Sequence, residues 1–269
     1  MKAISRIYVG LILFFLYAPV AVMIFFSFNA GESVWVFTGL STQWYKELPY
    51  NTEMLEALKH TLLVAVLSAL ISTVLGTAAS VGILALRKKL SKRVAMSVTN
   101  IPLMNADIVT GISLMLLFIF FGKLFGLDES LGFLTVLIAH ITFNLPYVIL
   151  SVMPKLTQMD PNLQEAALDL GCKPVQAFFK VVIYEIMPGI ISGALMAFAM
   201  SLDDFVISYF VYGPNFITLP VEIYNYTKKP LHPKLYALFT LLFLSILLVM
   251  TVMNILQAKD AKKNARARG

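Results

Sequence analysis

The chain has 269 residues, 59% of them hydrophobic and only 13% charged, with a mean hydropathy of +0.81. A soluble surface needs far more charge and a disordered chain far less apolar content, so both are excluded. The net charge of +6 does not indicate nucleic acid. Its basic residues lie between long uncharged runs and in the C-terminal tail, with no folded soluble surface to carry a basic stripe.

Six stretches lack charge or nearly so: Ile7–Asn29, Thr61–Leu86, Val94–Gly122, Leu131–Pro154, Ile186–Tyr212 and Leu235–Ala258. Each exceeds the roughly 20 residues a helix needs to cross the hydrocarbon core. The short alternating segments of a membrane barrel are missing. The first run is too long for a signal peptide, and Phe28-Asn29-Ala30 is a poor cleavage site, so it is expected to be retained. The pattern predicts an all-α integral membrane protein of six spans, one domain over 1–269. Pro19, Pro102 and Pro146 fall inside spans and predict kinks.

Fifteen of the 21 Lys and Arg fall at the N-terminus, in Arg87–Arg93, in Lys155–Lys180 and in the tail from Lys259 to Arg268. That asymmetry predicts both termini in the cytoplasm. Ser68, Ser72, Gly76 and Ser80, and again Gly189, Gly193, Ala197 and Ser201, place small residues four apart. Such stripes let helices approach closely, within the chain or against another subunit. The single cysteine, Cys172, excludes an internal disulfide.

Between the fourth and fifth spans, over 155–186, the sequence predicts a cytoplasmic helical hairpin. Asp160-Pro161 is a helix start and Gly171 a helix stop. Leu163, Ala166, Ala167 and Leu170 fall on one apolar face, and Lys173-Pro174 opens a second helix with Phe178, Phe179 and Val182 on one side. So short a first helix needs support from a neighbour, which the bilayer surface or a partner could supply.

The string Glu165-Ala166-Ala167-Leu168-Asp169-Leu170-Gly171 resembles the EAA loop of ABC-importer permeases. Tyr184 stands where that family has proline. Asn105–Val109, Thr142–Pro146, Ser201–Phe205, Gly213-Pro214 and Leu219-Pro220 resemble the PotC-type spermidine/putrescine permeases in particular. The resemblance implies a type I importer (MetI-like) fold in a bacterial inner membrane, with Glu165, Ala166, Ala167 and Gly171 coupling to a cytoplasmic ATPase dimer. It further implies a homologous second permease and an extracytoplasmic polyamine-binding protein as partners, beside membrane lipid. No cofactor is expected on this chain, ATP and Mg belonging to the ATPase.

Independently of family, an Asp near the centre of a span costs roughly 2.5–3.5 kcal/mol to insert. Asp107, Asp203 and Asp204 lie in spans that carry no Lys or Arg close by, so ion pairs inside the chain are not expected. They face water, protonate, or meet a cation from elsewhere; the plainer reading is that they cap kinked helices. Ser201, Asp204, Ser208 and Tyr212 would form one polar face on a continuous helix. Trp44 is either an interfacial anchor or a ring for ammonium and methylene groups. By resemblance, Trp44, Asp107, Ser201, Asp203, Asp204 and Tyr212 belong to the substrate path.

His140 is expected to be a buried hydrogen-bonding residue, a metal or proton role being the less favoured alternative. No GxxxxGK[ST], HExxH or GxSxG string occurs, so ATP hydrolysis and the commoner hydrolytic chemistries have no carrier here. The alternatives are an ABC permease for another small cation or metal, and an ion-coupled secondary transporter using the same acids.

Overall fold

A computed structural model describes residues 2–33, 36–48, 52–126, 131–160, 162–228, 233–241, 243–245, 247–248 and 251. In chain order its helices are α1 Lys2–Phe26, α2 Gln43–Glu47, α3 Thr52–Ala85, α4 Lys89–Met104, α5 Asp107–Leu124, α6 Phe133–Gln158, α7 Asn162–Asp169 and α8 Pro174–Ala177. A π-helical turn, Phe178–Val182, carries α8 into α9, Ile183–Asp203; α10 Val206–Val211 and α11 Leu219–Thr227 follow. Among the described residues, five helices are long and apolar enough to cross a membrane: Tyr8–Phe26, Thr52–Ala85, Asp107–Leu124, Phe133–Gln158 and Pro174–Asp203. A shorter apolar helix, Pro233–Ser245, begins the sixth expected span; most of its remainder and the basic tail lie outside the described residues.

Two of the expected spans are not continuous. The third, expected over 94–122, is divided where Asn105 and Ala106 adopt extended backbone between α4 and α5. α4 starts among Lys89, Lys92 and Arg93 and buries no residue, so charge and exposure set it apart from the apolar α5. The fifth, expected over 186–212, breaks at Asp204-Phe205 between α9 and α10. By contrast, helix continues through Pro19, Pro102, Pro146, Pro154 and Pro188.

The chain forms two compact units, Met1–Leu55 with Asn225–Gly269, and Glu56–Tyr224. In the first, Trp44, Leu48, Met54, Leu235 and Ala237 form an apolar cluster. Asn29 ties the turn after α1: its Nδ2 donates to the carbonyls of Ser33 and Val36, and its Oδ1 accepts from the Thr38 N–H.

The second unit is built on α6. α9 runs antiparallel to it at glycine-thin separation. A Cβ on Gly189 would lie 2.8 Å from Lys155 Cγ and 2.9 Å from the Ser151 carbonyl oxygen. One on Gly193 would lie 3.2 Å from Val148 Cα. From the α3 side Gly76 meets the same Val148, at 2.7 Å for its added Cβ. Val148, Val152 and Leu156 thus pack with Val182, Ile186, Ala197 and Ala69 in one core. All eight stripe residues are buried, so both stripes serve packing within the chain.

Gly189→Val is expected to cost about 1–3 kcal/mol by overpacking. Gly82→Ala, where nothing lies within 4 Å, should leave stability unchanged or slightly raised. Thermal unfolding of the two purified variants in detergent checks the contrast.

Candidate functional site

The hairpin between α6 and α9 forms as its start and stop signals require. Asp160 Oδ1 accepts the Asn162 N–H at 3.0 Å; Pro161 itself lies outside the described residues. At the far end Gly171 has φ +85°, where a side chain would be strained. Its N–H reaches the Leu168 carbonyl at 2.9 Å, and the Cys172 N–H reaches that of Ala167 at 3.1 Å. These are the paired bonds of a Schellman stop. Pro174 then opens α8, with the Lys173 N–H held by Gln176 Oε1 at 3.2 Å.

The expected apolar face of α7 is not buried. Ala167 alone in that helix is buried, while Leu163 and, just past its end, Leu170 remain exposed, Leu170 at 87%. Phe179 is likewise exposed, although its ring meets Phe178 edge-on at 5.3 Å, while Val182 is buried. Of the four expected coupling residues, Glu165, Ala166 and Gly171 are exposed and Ala167 anchors the hairpin to itself.

The acids sit at the helix breaks. Asp107 is the first residue of α5 and exposed, rather than within a helix centre. α5 lies directly on α10: a Cβ on Gly111 would stand 2.8 Å from Phe210 Cδ2 and 3.4 Å from Ile207 Cα. Asp203 ends α9 and is exposed. Its neighbour is held quite differently. Asp204 Oδ2 accepts the Ser208 N–H at 2.7 Å and Oδ1 the Ile207 N–H at 3.3 Å, so this carboxylate caps α10.

The same carboxylate has a partner that the search for Lys and Arg overlooks. His140, on α6 and 1% exposed, places Nε2 3.4 Å from Asp204 Oδ2 and 2.9 Å from Ser208 Oγ. Its Nδ1 lies 2.6 Å from Ser201 Oγ. Ser201 is also bonded to Ser68 of α3 at 3.1 Å, and Ser68 to Asn144 Nδ2 at 3.4 Å. Ser201, Asp204 and Ser208 therefore do come together, but around an imidazole at a break and not as a face of one continuous helix. Tyr212, beyond the end of α10, packs in the apolar cluster of Val136, Ala139, Ile207 and Val211.

Directly after Asp204 in the chain, Phe205 starts a group of four rings that the sequence did not single out. Phe205 and Tyr224 centroids are 4.9 Å apart, Tyr209 and Tyr224 5.5 Å, and Tyr209 and Tyr212 6.1 Å. Phe205, Tyr209 and Tyr212 recur at helical spacing, but Tyr224, on α11, left no local signal. Trp44 belongs to the other unit, where it is 5% exposed and donates its indole N–H to the Asn29 carbonyl at 2.7 Å. There it acts as a packing and tethering residue. Among the described residues no group of three His, Cys, Asp or Glu could hold a metal ion.

Residues 74–262 match the family described as binding-protein-dependent transport system inner membrane component. The chain belongs to this family. It is 38% identical over 253 residues to the putrescine transport system permease protein PotI of Escherichia coli K12, covering 94% of this chain and 90% of that protein. It is 35% identical over 228 residues to the spermidine/putrescine transport system permease protein PotC of the same organism, covering 85% and 84%. The fold is that of a bacterial ABC transporter involved in import of the acidic polysaccharide alginate, with a TM-score of 0.76 at 15% identity over 96% and 95% of the two chains. This inner-membrane permease family confirms the expected all-α, MetI-like class and the transport role.

The geometry separates the two neighbouring acids. Asp204→Ala removes a cap and the imidazole's partner and is expected to cost about 1–3 kcal/mol. Asp203→Ala, at an exposed helix end, should stay within about 0.5 kcal/mol. Unfolding midpoints of the two variants, measured side by side, test the division.

Proposed function

We propose that this permease is one half of the membrane channel of an ATP-driven polyamine importer. The observation that carries the cargo is the 38% identity over 94% of the chain to a putrescine permease. The chemistry of the breaks agrees with it. Polyamines are ammonium groups joined by methylenes; exposed carboxylates offset the charge, and aromatic rings accept both kinds of group. Asp107 and Asp203 are exposed, and just past Asp203 in the chain Phe205 packs on Tyr224, which also meets Tyr209. Ser201 and Asp204 hold the break on which Asp203 is mounted, Tyr212 anchors the far end of α10 in its apolar cluster, and Trp44 fixes the turn after α1.

In this reading the hairpin is the handle for a separate ATPase dimer. Glu165 and Ala166 provide the contact, while Ala167 and Gly171 shape the loop that presents them. ATP and its Mg²⁺ belong to that ATPase. A second, homologous permease completes the channel, and an extracytoplasmic binding protein delivers the polyamine. Both termini lie in the cytoplasm with the hairpin, and rocking of the two permeases against each other alternates access (compare the bundle logic of).

Glu165→Ala should lower putrescine and spermidine uptake by about tenfold or more in cells expressing the whole importer, as expected when a charged contact is lost at a coupling interface. The amount of chain inserted in the membrane should not change. Uptake at the wild-type rate would remove Glu165 from coupling.

A further inference from the structure

The buried polar cluster on α6 has a direction, which follows from counting protons. Asn144 Nδ2 donates to Ser68 Oγ, and we assign the single Ser68 hydroxyl proton to the nearer of its two acceptors, Ser201 Oγ at 3.1 Å against the Ala65 carbonyl at 3.3 Å. Ser201 spends its own hydroxyl proton on the remaining neighbour, His140 Nδ1, at 2.6 Å. Nδ1 is then an acceptor, and a neutral imidazole must carry its single proton on Nε2. That N–H faces Ser208 Oγ at 2.9 Å and Asp204 Oδ2 at 3.4 Å. Asp204 has no other hydrogen to offer; its oxygens already take two backbone N–H groups of α10. One ring on α6 thus touches the last turn of α9 through Ser201 and the first turn of α10 through Ser208 and Asp204. The chain between those two turns is the break that carries Asp203.

We propose that His140 is a positioning residue for transport: in its Nε2–H form it braces both sides of the α9–α10 break and so sets where Asp203 presents its carboxylate. The imidazole does not meet the cargo, being 1% exposed. α6 suits the task, because the glycine-thin contact at Gly189 and Gly193 fixes it against α9. The arm to Asp204 and Ser208 bears most directly on Asp203, the last residue of α9, because Asp204 is its immediate chain neighbour. The inference rests on reading Asp203 as part of the polyamine path.

Two near-isosteric variants separate the arms. A Gln amide reaches the Nε2 position and can still donate to Asp204 and Ser208, whereas an Asn amide reaches only the Nδ1 position and keeps Ser201. The test uses the assembled importer in proteoliposomes, with Cys172→Ser and a reporter at Asp203→Cys, labelled by a cationic methanethiosulfonate. His140→Asn should change the labelling rate by about tenfold, the effect of one lost hydrogen bond to a carboxylate. His140→Gln should keep it within about twofold, as a side chain that restores that bond.

In the chain with Asp203 intact, spermidine uptake per ATP hydrolysed should fall with His140→Asn and be rescued by His140→Gln. Should His140→Asn fail to assemble, Ser208→Ala removes part of the same arm and is expected to shift labelling in the same direction. Equal labelling in wild type and the arm-breaking variant, or equal disturbance by Gln and Asn, overturns the brace. A wild-type importer that moves no polyamine overturns the cargo instead, and the labelling comparison still decides the positioning role.

Discussion

A backbone group freed inside a membrane has no water to turn to, and the working part of this chain depends on how that debt is settled. Interrupting α9 at Asp204-Phe205 releases N–H groups at the start of α10. Irregular backbone at such depth survives only where protein groups or a water-lined cavity satisfy it. Here Asp204 takes two of those N–H groups, and an imidazole from α6 takes the carboxylate. A costly acid becomes a fastening because everything it needs lies within hydrogen-bonding distance. Replacing the break by continuous helix would satisfy the backbone equally well, but would leave no place for an exposed carboxylate next to it.

α6 acts as the fixed element in that arrangement. Its first half supplies His140 and Asn144, and its second half supplies Val148, Ser151, Val152 and Leu156 to the close contacts with α9 and the core. The rigid pairing extends to the hairpin, because α9 continues without interruption back through the π-helical turn into α8. A push on the hairpin therefore has a stiff route to the break. Stiffness of that kind is what a mechanical coupling needs, since a compliant link would dissipate the displacement.

The sequence made several of these features legible and hid others, for definable reasons. Both ends of α7 were readable because capping is local: Asp160 and Gly171 act within four or five residues. Small-residue stripes announced the α3 and α9 faces that pack tightly. The breaks at Asn105-Ala106 and Asp204-Phe205 were not visible as breaks, because an apolar run resumes beyond the few polar residues at each and hydropathy does not register backbone direction. The partner of Asp204 was missed for a different reason: a search restricted to Lys and Arg passes over histidine, and His140 is sixty-four residues away in sequence. The amphipathic pattern on α7 was real but its burial was not, since Leu163 and Leu170 face outward from this chain. Trp44 offered an aromatic ring for cargo, yet its environment is a packed cluster and a carbonyl.

In the proposed mechanism the hairpin receives force, the α6–α9 pair transmits it, and the break holds a charged group in place. Such a device moves cargo only when something outside the chain supplies the force. The most direct measurement is accumulation of labelled spermidine and putrescine in proteoliposomes containing both permeases and the binding protein, with and without the ATPase and ATP. The account predicts accumulation against the gradient only when the ATPase and ATP are both present. Accumulation by this chain alone, abolished by an uncoupler, would contradict it.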